Sequence, residues 1–591
     1  MPVSRFSPRW KLSVLAKLKA ATTLHDLAAI LGYQPKALAY LIYKLPPSAR
    51  YVQFSVPKKS GGVRVISAPE DRLKRLQRHL SKVLYQCREE IETTSPKRSS
   101  LSHGFRKAHS IITNARPHIK RRYVLNLDIE DFFPSFNFGR VRGFFVHNND
   151  FKLHPNVATI IAQIACHNNE LPQGAPTSPI ISDLIAHLLD VRLVQLAKAN
   201  TCSYSRYADD ITFSTNLKIF PADLASQSLT APSQWELGAP LVKAIQRAGF
   251  TPNPAKTRMQ SKTNRQSVTG LTVNRKVNIE AQYYRRLRSM AHAVFASGSY
   301  FSPGASPTTS LNLISGMMTH VFHVKRTVAR ARITDIPDEK KDTGVRKLYR
   351  TFLFFKYFVA LNRPLLVCEG KTDNVFLRLA IRSLFPLYPA FGSPAGKTFS
   401  YKISFFNHSK TANEVMKLGG GVGGMQLLIQ DYKKYLKHFT YLPLLHPVIL
   451  LVDNDTTSIF DSVKKAFGVT ITLTSAAPFY HLGHNLYLVK TPELGAKGTS
   501  CIESFFDPSV LKVPVDGKTF NPAPEIDTTK EFGKVVLAEK VVRPNAATID
   551  FSLFGKILDR ISAVLNHYKP PTPAAPAPPP TASAPALATT T

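Results

Sequence analysis

The chain has 591 residues, 44% of them hydrophobic, and 77 Lys plus Arg against 39 Asp plus Glu give a formal net charge of +38. That length suggests about three to four domains, and the basic excess points to a polyanionic partner, nucleic acid above all. No apolar run is long enough to span a bilayer and no secretory leader opens the chain; the five cysteines, without CxxC spacing, exclude a disulfide framework or a zinc site and fit a cytoplasmic protein with no membrane attachment.

Residues 1–45 carry apolar side chains at helical spacing and read as a helical extension that either packs or faces RNA. From Tyr51, YVQFSVPKKSGGVRVISAPE predicts a hairpin with a basic, glycine-rich tip. Glycines let backbone amides approach a phosphate, and Lys59 and Arg64 suit a triphosphate; alone, the same residues would be an exposed basic turn. Residues 71–92 read as one long basic helix. Tyr123–Ile129 is a strand by composition, with Asp128 near its end and Asp131, Phe132 and Phe133 directly after. Upstream, NARPH (Asn114 to His118) sits in a basic stretch that by itself would be a surface turn. Gln173-Gly174-Ala175-Pro176 is a loop, Ser178 a fair N-cap and Pro179 the first helical residue.

The stretch YSRYADDITFS, Tyr204 to Ser214, reads as strand, two acids, strand. A bare Asp-Asp pair is usually a solvated turn. Here the apolar and aromatic flanks place Asp209 and Asp210 at the floor of a cleft, where a divalent cation relieves their repulsion, and Asp128 is the candidate third acid. A helical stretch, the segment TPNPAKT with Lys256, and a strand over Ser267–Val273 follow.

Residues 278–363 predict helices with one apolar and one basic face. A new domain opens with the buried strand Leu365–Cys368, which ends in Glu369-Gly370-Lys371-Thr372. A P-loop is excluded, because that motif needs glycine where Leu365 stands. A second strand, Pro447–Val452, ends in Asp453-Asn454-Asp455. The glycine run 419–424 lies between these strands, as a loop near a site or a tight turn. Beyond residue 568 the chain is rich in Pro, Ala and Thr and reads as disordered or extended.

In order, the fingers hairpin, LDIEDFFPSF, LPQGAPTSP, YADD, GFTPNPAKT and VTGLTVN resemble the blocks of reverse transcriptases, and NARPH and VTG resemble elements of the retron type. The resemblance implies an α+β polymerase right hand: fingers and palm over 46–277 and a helical thumb over 278–363 that grips template–primer duplex. It implies that Asp128, Asp209 and Asp210 hold two Mg2+ ions and that Phe133 blocks a ribose 2′-OH. Asp131, Gln173 and Gly174 line the incoming dNTP, Lys59 and Arg64 meet its phosphates, and Lys256 lies near the leaving pyrophosphate. Asn114, His118, Val268, Thr269 and Gly270 are tied to a cognate noncoding RNA. Priming from an RNA 2′-OH gives a branched RNA–DNA (msDNA).

Residues 364–510 resemble an α/β TOPRIM domain, whose strand-end acids bind magnesium; Glu369, Asp453 and Asp455, with Glu503 added, are the implied ligands, and a nuclease acting in phage defence is the expected output. A C-terminal extension over 511–568 and a tail over 569–591 complete the division. A homo-oligomer or ribonucleoprotein assembly is left open. The alternatives are a reverse transcriptase of another bacterial group, such as an intron or diversity-generating element, and a nucleic-acid-binding toxin–antitoxin protein with a dead polymerase site.

Overall fold

The computed structural model describes residues 13–58, 61–94, 101–228, 234–301, 306–330, 343–396, 398–495, 498–523 and 525–571. Lys59 and most of the predicted tail lie outside the described residues. The chain forms two compact units. The first runs through Ala281 and takes in the described residues 324–330; the second holds Gln282–His323 and the described residues from 343 onward.

In the first unit, strands β1 (Tyr51–Pro57) and β2 (Val63–Pro69) form the predicted hairpin, in register from Tyr51↔Pro69 to Pro57↔Val63. Gly61 and Gly62 close it at φ of 88° and 76°, which a side chain at either position would strain. The long helix Asp71–Thr94 follows. Strands β3 (Tyr123–Ile129), β4 (Ser203–Tyr207) and β5 (Asp210–Thr215) come next, then the short hairpin β6 (Ala225–Gln227) and β7 (Trp235–Leu237), and then β8 (Pro252–Ser261). Four of them make one antiparallel sheet in the order β4-β5-β3-β8. Its inward residues Leu125, Leu127, Ile211 and Phe213 share a core with Ile180, Ile185, Leu189 and Leu193 of the helix Ser178–Ala199.

Three local expectations change. Ser178 is not the N-cap: Thr177 holds that position without a side-chain cap, and the buried Ser178 hydroxyl donates to the Pro172 carbonyl at 2.8 Å. The strand expected over Ser267–Val273 is instead a tight hairpin, β9 (Ser267–Val268) and β10 (Leu271–Thr272). It turns on Thr269 and Gly270 at φ of 46° and 79°, left-handed geometry that breaks a strand. NARPH is not a surface turn; it spans the end of a short helix, Ile111–Ala115, and a 3-10 turn, Arg116–His118, with Asn114 and His118 buried.

The second unit contains helices Ala281–Ser297 (from Gln282) and Gly344–Phe354, the latter running into a π-helical turn over Phe355–Val359. Its sheet is built from β11 (Leu365–Cys368), β14 (Ser404–Phe405), β15 (Val448–Val452), β16 (Tyr480–Gly483) and β17 (Leu486–Lys490), with a side hairpin of β12 (Gly392–Ala395) and β13 (Thr398–Tyr401). The order is β14-β11-β15-β17-β16; the first four are parallel and β16 is an antiparallel edge. Helices Asp373–Ser383, Val422–Leu436 and Ser458–Phe467 lie between strands in sequence, as parallel crossovers demand. That explains why β11 and β15 read as unbroken apolar runs. The helix Gly555–His567 shares this sheet's core through Ile557, Leu558 and Ile561.

Candidate active site

Asp128 on β3 stands directly opposite Asp210 on β5, and Asp209 lies in the β4–β5 turn with its carbonyl accepting from Ile129 N at 3.2 Å. Three carboxylates therefore meet where two strands end. Like charges placed opposite each other destabilise a sheet, and the site shows it. Burial in the cleft, then Asp128, raises the pKa of Asp209. Asp210 is exposed on one side, yet loss of water on its cleft side, then Asp209 and Asp128, pushes it up to about 6. Lys256 Nζ reaches Asp128 Oδ1 at 2.7 Å, and that hydrogen bond raises the lysine's pKa.

Among the described residues, no three His, Cys, Asp or Glu side chains stand as a ready metal-holding group. Lys256 supplies a cation beside Asp128. The donor set itself is three hard carboxylates with unbalanced negative charge, which fits a divalent ion of the magnesium class.

Arg64, opposite Val56 on β2, lies near enough to Asp209 to oppose the rise in its pKa. Gln173 accepts from Ser67 N through its carbonyl at 2.9 Å. Gly174 has φ of 124°, and a Cβ there would sit 2.9 Å from the Ser67 carbonyl; only glycine lets this loop touch β2. Asp131 is exposed at φ of 42°. The half-buried Phe133 ring packs against Phe132, with centroids 5.5 Å apart.

The expected RNA contacts divide differently. His118 is wholly buried, its two ring nitrogens bonded to the hydroxyls of Ser214 (2.7 Å) and Ser205 (2.8 Å). Burial lowers its pKa to about 3, so it is a neutral clamp between β4 and β5. Asn114 and Val268 are also wholly buried. A direct RNA contact by Asn114, His118 or Val268 is corrected on this ground: no part of them reaches the surface. Thr269 is half-buried and donates to Ile111 O at 3.3 Å, while Gly270 is exposed.

A buried ionic network beneath the Asp209 turn went unread in the sequence. Arg206 is wholly buried and grips Asp190 through Nε and Nη2, both at 2.7 Å; Nη2 also reaches Asp183 at 3.3 Å. Its Nη1 donates to the Ala208 carbonyl at 3.0 Å, one residue before Asp209, and Ala208 itself has φ of 58°. Burial alone would lower the arginine's pKa; Asp190 and Asp183 outweigh it and raise it. Arg88 and the Ser102 hydroxyl hold Asp183 at 2.9 and 2.5 Å, and the Tyr204 hydroxyl holds Asp190 at 2.6 Å. The one available signal was an Arg between Ser205 and Tyr207 in a strand expected to be buried on one face, since buried charges are paired.

The second unit has its own acidic cluster. Glu369 and Asp453 follow the adjacent parallel strands β11 and β15. Burial, then Asp373, Glu369 and Glu503, pushes Asp453 up to about 8. Burial raises Glu369 as well, and the exposed Asp455 adds to it. Asp453 Oδ1 accepts from Ile502 N at 3.0 Å, and Gly421 N donates to the Glu369 carbonyl at 2.7 Å, so the glycine run does border the cluster. Glu503 is buried, and Lys534 Nζ lies 3.0 Å from each of its carboxylate oxygens. Asp373 and Lys534 were not foreseen. Nor was Asn454, which turns inward between the two aspartates onto the buried Lys490 Nζ at 3.3 Å.

Residues 56–273 match the family model for reverse transcriptase (RNA-dependent DNA polymerase). The chain is similar to the retron Mx65 reverse transcriptase of Myxococcus xanthus, at 37% identity over 46% of this chain and 62% of that relative. It is similar to the retron Ec86 reverse transcriptase of Escherichia coli, at 29% identity over 56% of this chain and 93% of that one. The retron Mx162 reverse transcriptase of Myxococcus xanthus is 32% identical over 45% of this chain and 56% of its own length. This chain thus spans about six-tenths of the two Myxococcus relatives and nearly all of Ec86. No helix among the described residues is long and apolar enough to cross a membrane. Residues 56–273, which hold Asp128, Asp209 and Asp210, are a reverse transcriptase domain related to those of the retrons.

Proposed function

We propose that this protein is a retron-type RNA-directed DNA polymerase fused to a TOPRIM effector domain over residues 364–510. The observation that carries the first half is the register of Asp128 against Asp210 with Asp209 at the turn between them, inside a domain of the reverse transcriptase family. Two Mg2+ ions held by Asp128, Asp209 and Asp210 would stabilise the attacking and leaving oxygens of phosphoryl transfer.

The chain's own residues do the rest. Arg64 and Lys59 offset the triphosphate charge. Gly174 lets the Gln173 loop lie against β2, so that its face meets the incoming dNTP. Phe133 fills the space a ribose 2′-OH would need. Lys256 sits beside Asp128, where pyrophosphate departs. The template is a cognate structured noncoding RNA that primes from its own 2′-OH, and the product, branched msDNA, stays with the protein as a ribonucleoprotein.

For the second unit, a strand-end Glu369, the Asp453-Asn454-Asp455 turn and the buried Glu503 support a magnesium-dependent nuclease. In this reading its activity is restrained or released by the msDNA during phage defence. The donor chemistry fits: Asp453 at about 8 is a carboxyl short of positive charge.

Sequencing the nucleic acid that co-purifies from cells tests the polymerase half, and covalently joined RNA–DNA is expected. Asp209→Asn removes synthesis and leaves RNA binding intact; a variant that still extends a primer overturns the assignment. Glu369→Ala or Asp453→Ala abolishes phage defence while synthesis persists, and loss of synthesis in either would refute the division of labour.

A further inference from the structure

From Leu27 to Pro69 the chain contains no acidic residue, while Lys36, Lys44, Arg50, Lys58 and Arg64 fall within it. The front of this stretch is the helix Pro35–Ala39 running into a π-helical turn, Tyr40–Lys44, which Leu45 N closes on the Tyr40 carbonyl at 2.9 Å. The element buries Leu38, Leu41, Ile42 and Leu45 in the core of the first unit. That satisfies its apolar side and leaves the other face to explain. Tyr40 is 46% exposed and Tyr43 is 56% exposed, with Lys36 and Lys44 exposed beside them.

Packing does not account for two tyrosines turned to water between lysines. The turn is also fixed: Arg50 donates to the Leu45 carbonyl at 2.9 Å and the Ile42 carbonyl at 2.7 Å. Single π-turns inside helices are frequent at functional sites. Aromatic faces stack unpaired bases without regard to sequence, and flanking cations take the phosphates. A protein partner would find here an apolar patch of only two rings, rimmed by positive charge.

We propose that Tyr40 and Tyr43, flanked by Lys36 and Lys44, form a stacking platform for single-stranded RNA. The inference rests on the polymerase reading above: such an enzyme must hold unpaired template RNA, whereas its DNA product is paired to that template. The helical extension, which the sequence left as either packing or RNA-facing, then does both, on opposite faces.

The test uses the full chain without dNTPs, so its outcome does not depend on whether Asp209 supports synthesis. An oligouridine of about 12 nucleotides, within the site sizes of single-strand binders, carries 5-iodouridine for photo-cross-linking. The expected cross-links map to Tyr40 or Tyr43. Tyr40→Ala with Tyr43→Ala weakens oligouridine binding by about tenfold or more, while Tyr40→Phe with Tyr43→Phe, which keeps both rings, binds as the parent does. Lys36→Gln with Lys44→Gln lowers the slope of log affinity against log salt by roughly 1.4. Unchanged affinity in a folded alanine pair, cross-links confined to other segments, or cross-linking by the matching oligothymidine alone would overturn the proposal. So would a change of oligomeric state as the only effect of the alanine pair, which would assign the face to protein contact.

Discussion

Arg206→Met isolates what holds the turn that carries Asp209. The substitution leaves Asp190 buried with the Tyr204 hydroxyl at 2.6 Å, and takes the donor at 3.0 Å from the Ala208 carbonyl. Breaking a buried ion pair on one side costs about 3–5 kcal/mol, a large part of the roughly 5–15 kcal/mol that a folded unit possesses. For a unit of this size the melting temperature should fall by about 10 °C. Asp183 keeps Arg88 and Ser102, so the helix Ser178–Ala199 stays anchored.

The decisive variant replaces the whole group: Arg206→Met, Asp190→Leu and Tyr204→Phe. Apolar replacement of a complete buried ion pair is often neutral or stabilising, so thermal stability returns. The clamp on Ala208 does not return. Losing a hydrogen bond from a charged donor costs about 1.5–3 kcal/mol, which corresponds to a fall in kcat of about tenfold or more if the turn geometry depends on it. Differential scanning calorimetry and single-nucleotide extension measure the two quantities separately. Recovery of both in the triple variant would refute a positioning role, and an unchanged melting point in Arg206→Met would refute the energetics.

Gly174→Ala sets a Cβ 2.9 Å from the Ser67 carbonyl and 3.0 Å from Ile66 Cγ2, at φ of 124°. The loop must then leave β2, and the KM for dNTP should rise by about tenfold with template affinity unchanged, as steady-state extension kinetics would show. His118 gives a pH signature. Its pKa is about 3 when folded against an ordinary 6.5, so its neutral form stabilises the fold above about 6.5, and that stability is lost progressively as pH falls toward 3. Between pH 7.5 and 5 the loss is about 2 kcal/mol. Urea titrations of His118→Gln should show a correspondingly flatter pH dependence; an equal slope in both proteins would mean that the ring protonates freely.

What the sequence disclosed was local. A strand–acid–acid–strand pattern is complete within Tyr204–Ser214, and β11 and β15 announce themselves as short apolar runs ending in acids. What it concealed was the set of partners brought in from afar. Arg88 meets Asp183 across 95 residues, and Lys534 meets Glu503 across 31, and no spacing rule connects such pairs. NARPH was misread because polar residues suggest surface, whereas Ser205 and Ser214 offer His118 two hydroxyls inside the sheet. The Val268–Leu271 turn was legible in principle, since a glycine inside a strand pattern often marks a break.

The two acidic turns share a construction that neither motif states. Behind Asp209, the buried Arg206 holds the preceding carbonyl; between Asp453 and Asp455, Asn454 points inward to the buried Lys490. Each rear cation is already committed, Arg206 to Asp190 and Asp183, Lys490 to Glu493 and to the carbonyls of Thr472 and Leu473. It can therefore fix the turn without neutralising the acids in front. Burial first, and then the neighbouring acids, keep the front carboxyls high, with Asp210 at about 6 and Asp453 at about 8. Each front face also carries one reaching lysine, Lys256 or Lys534, a monovalent charge against several carboxylates. In the function proposed above, a turn pinned from behind and short of charge in front holds its geometry before a divalent ion arrives.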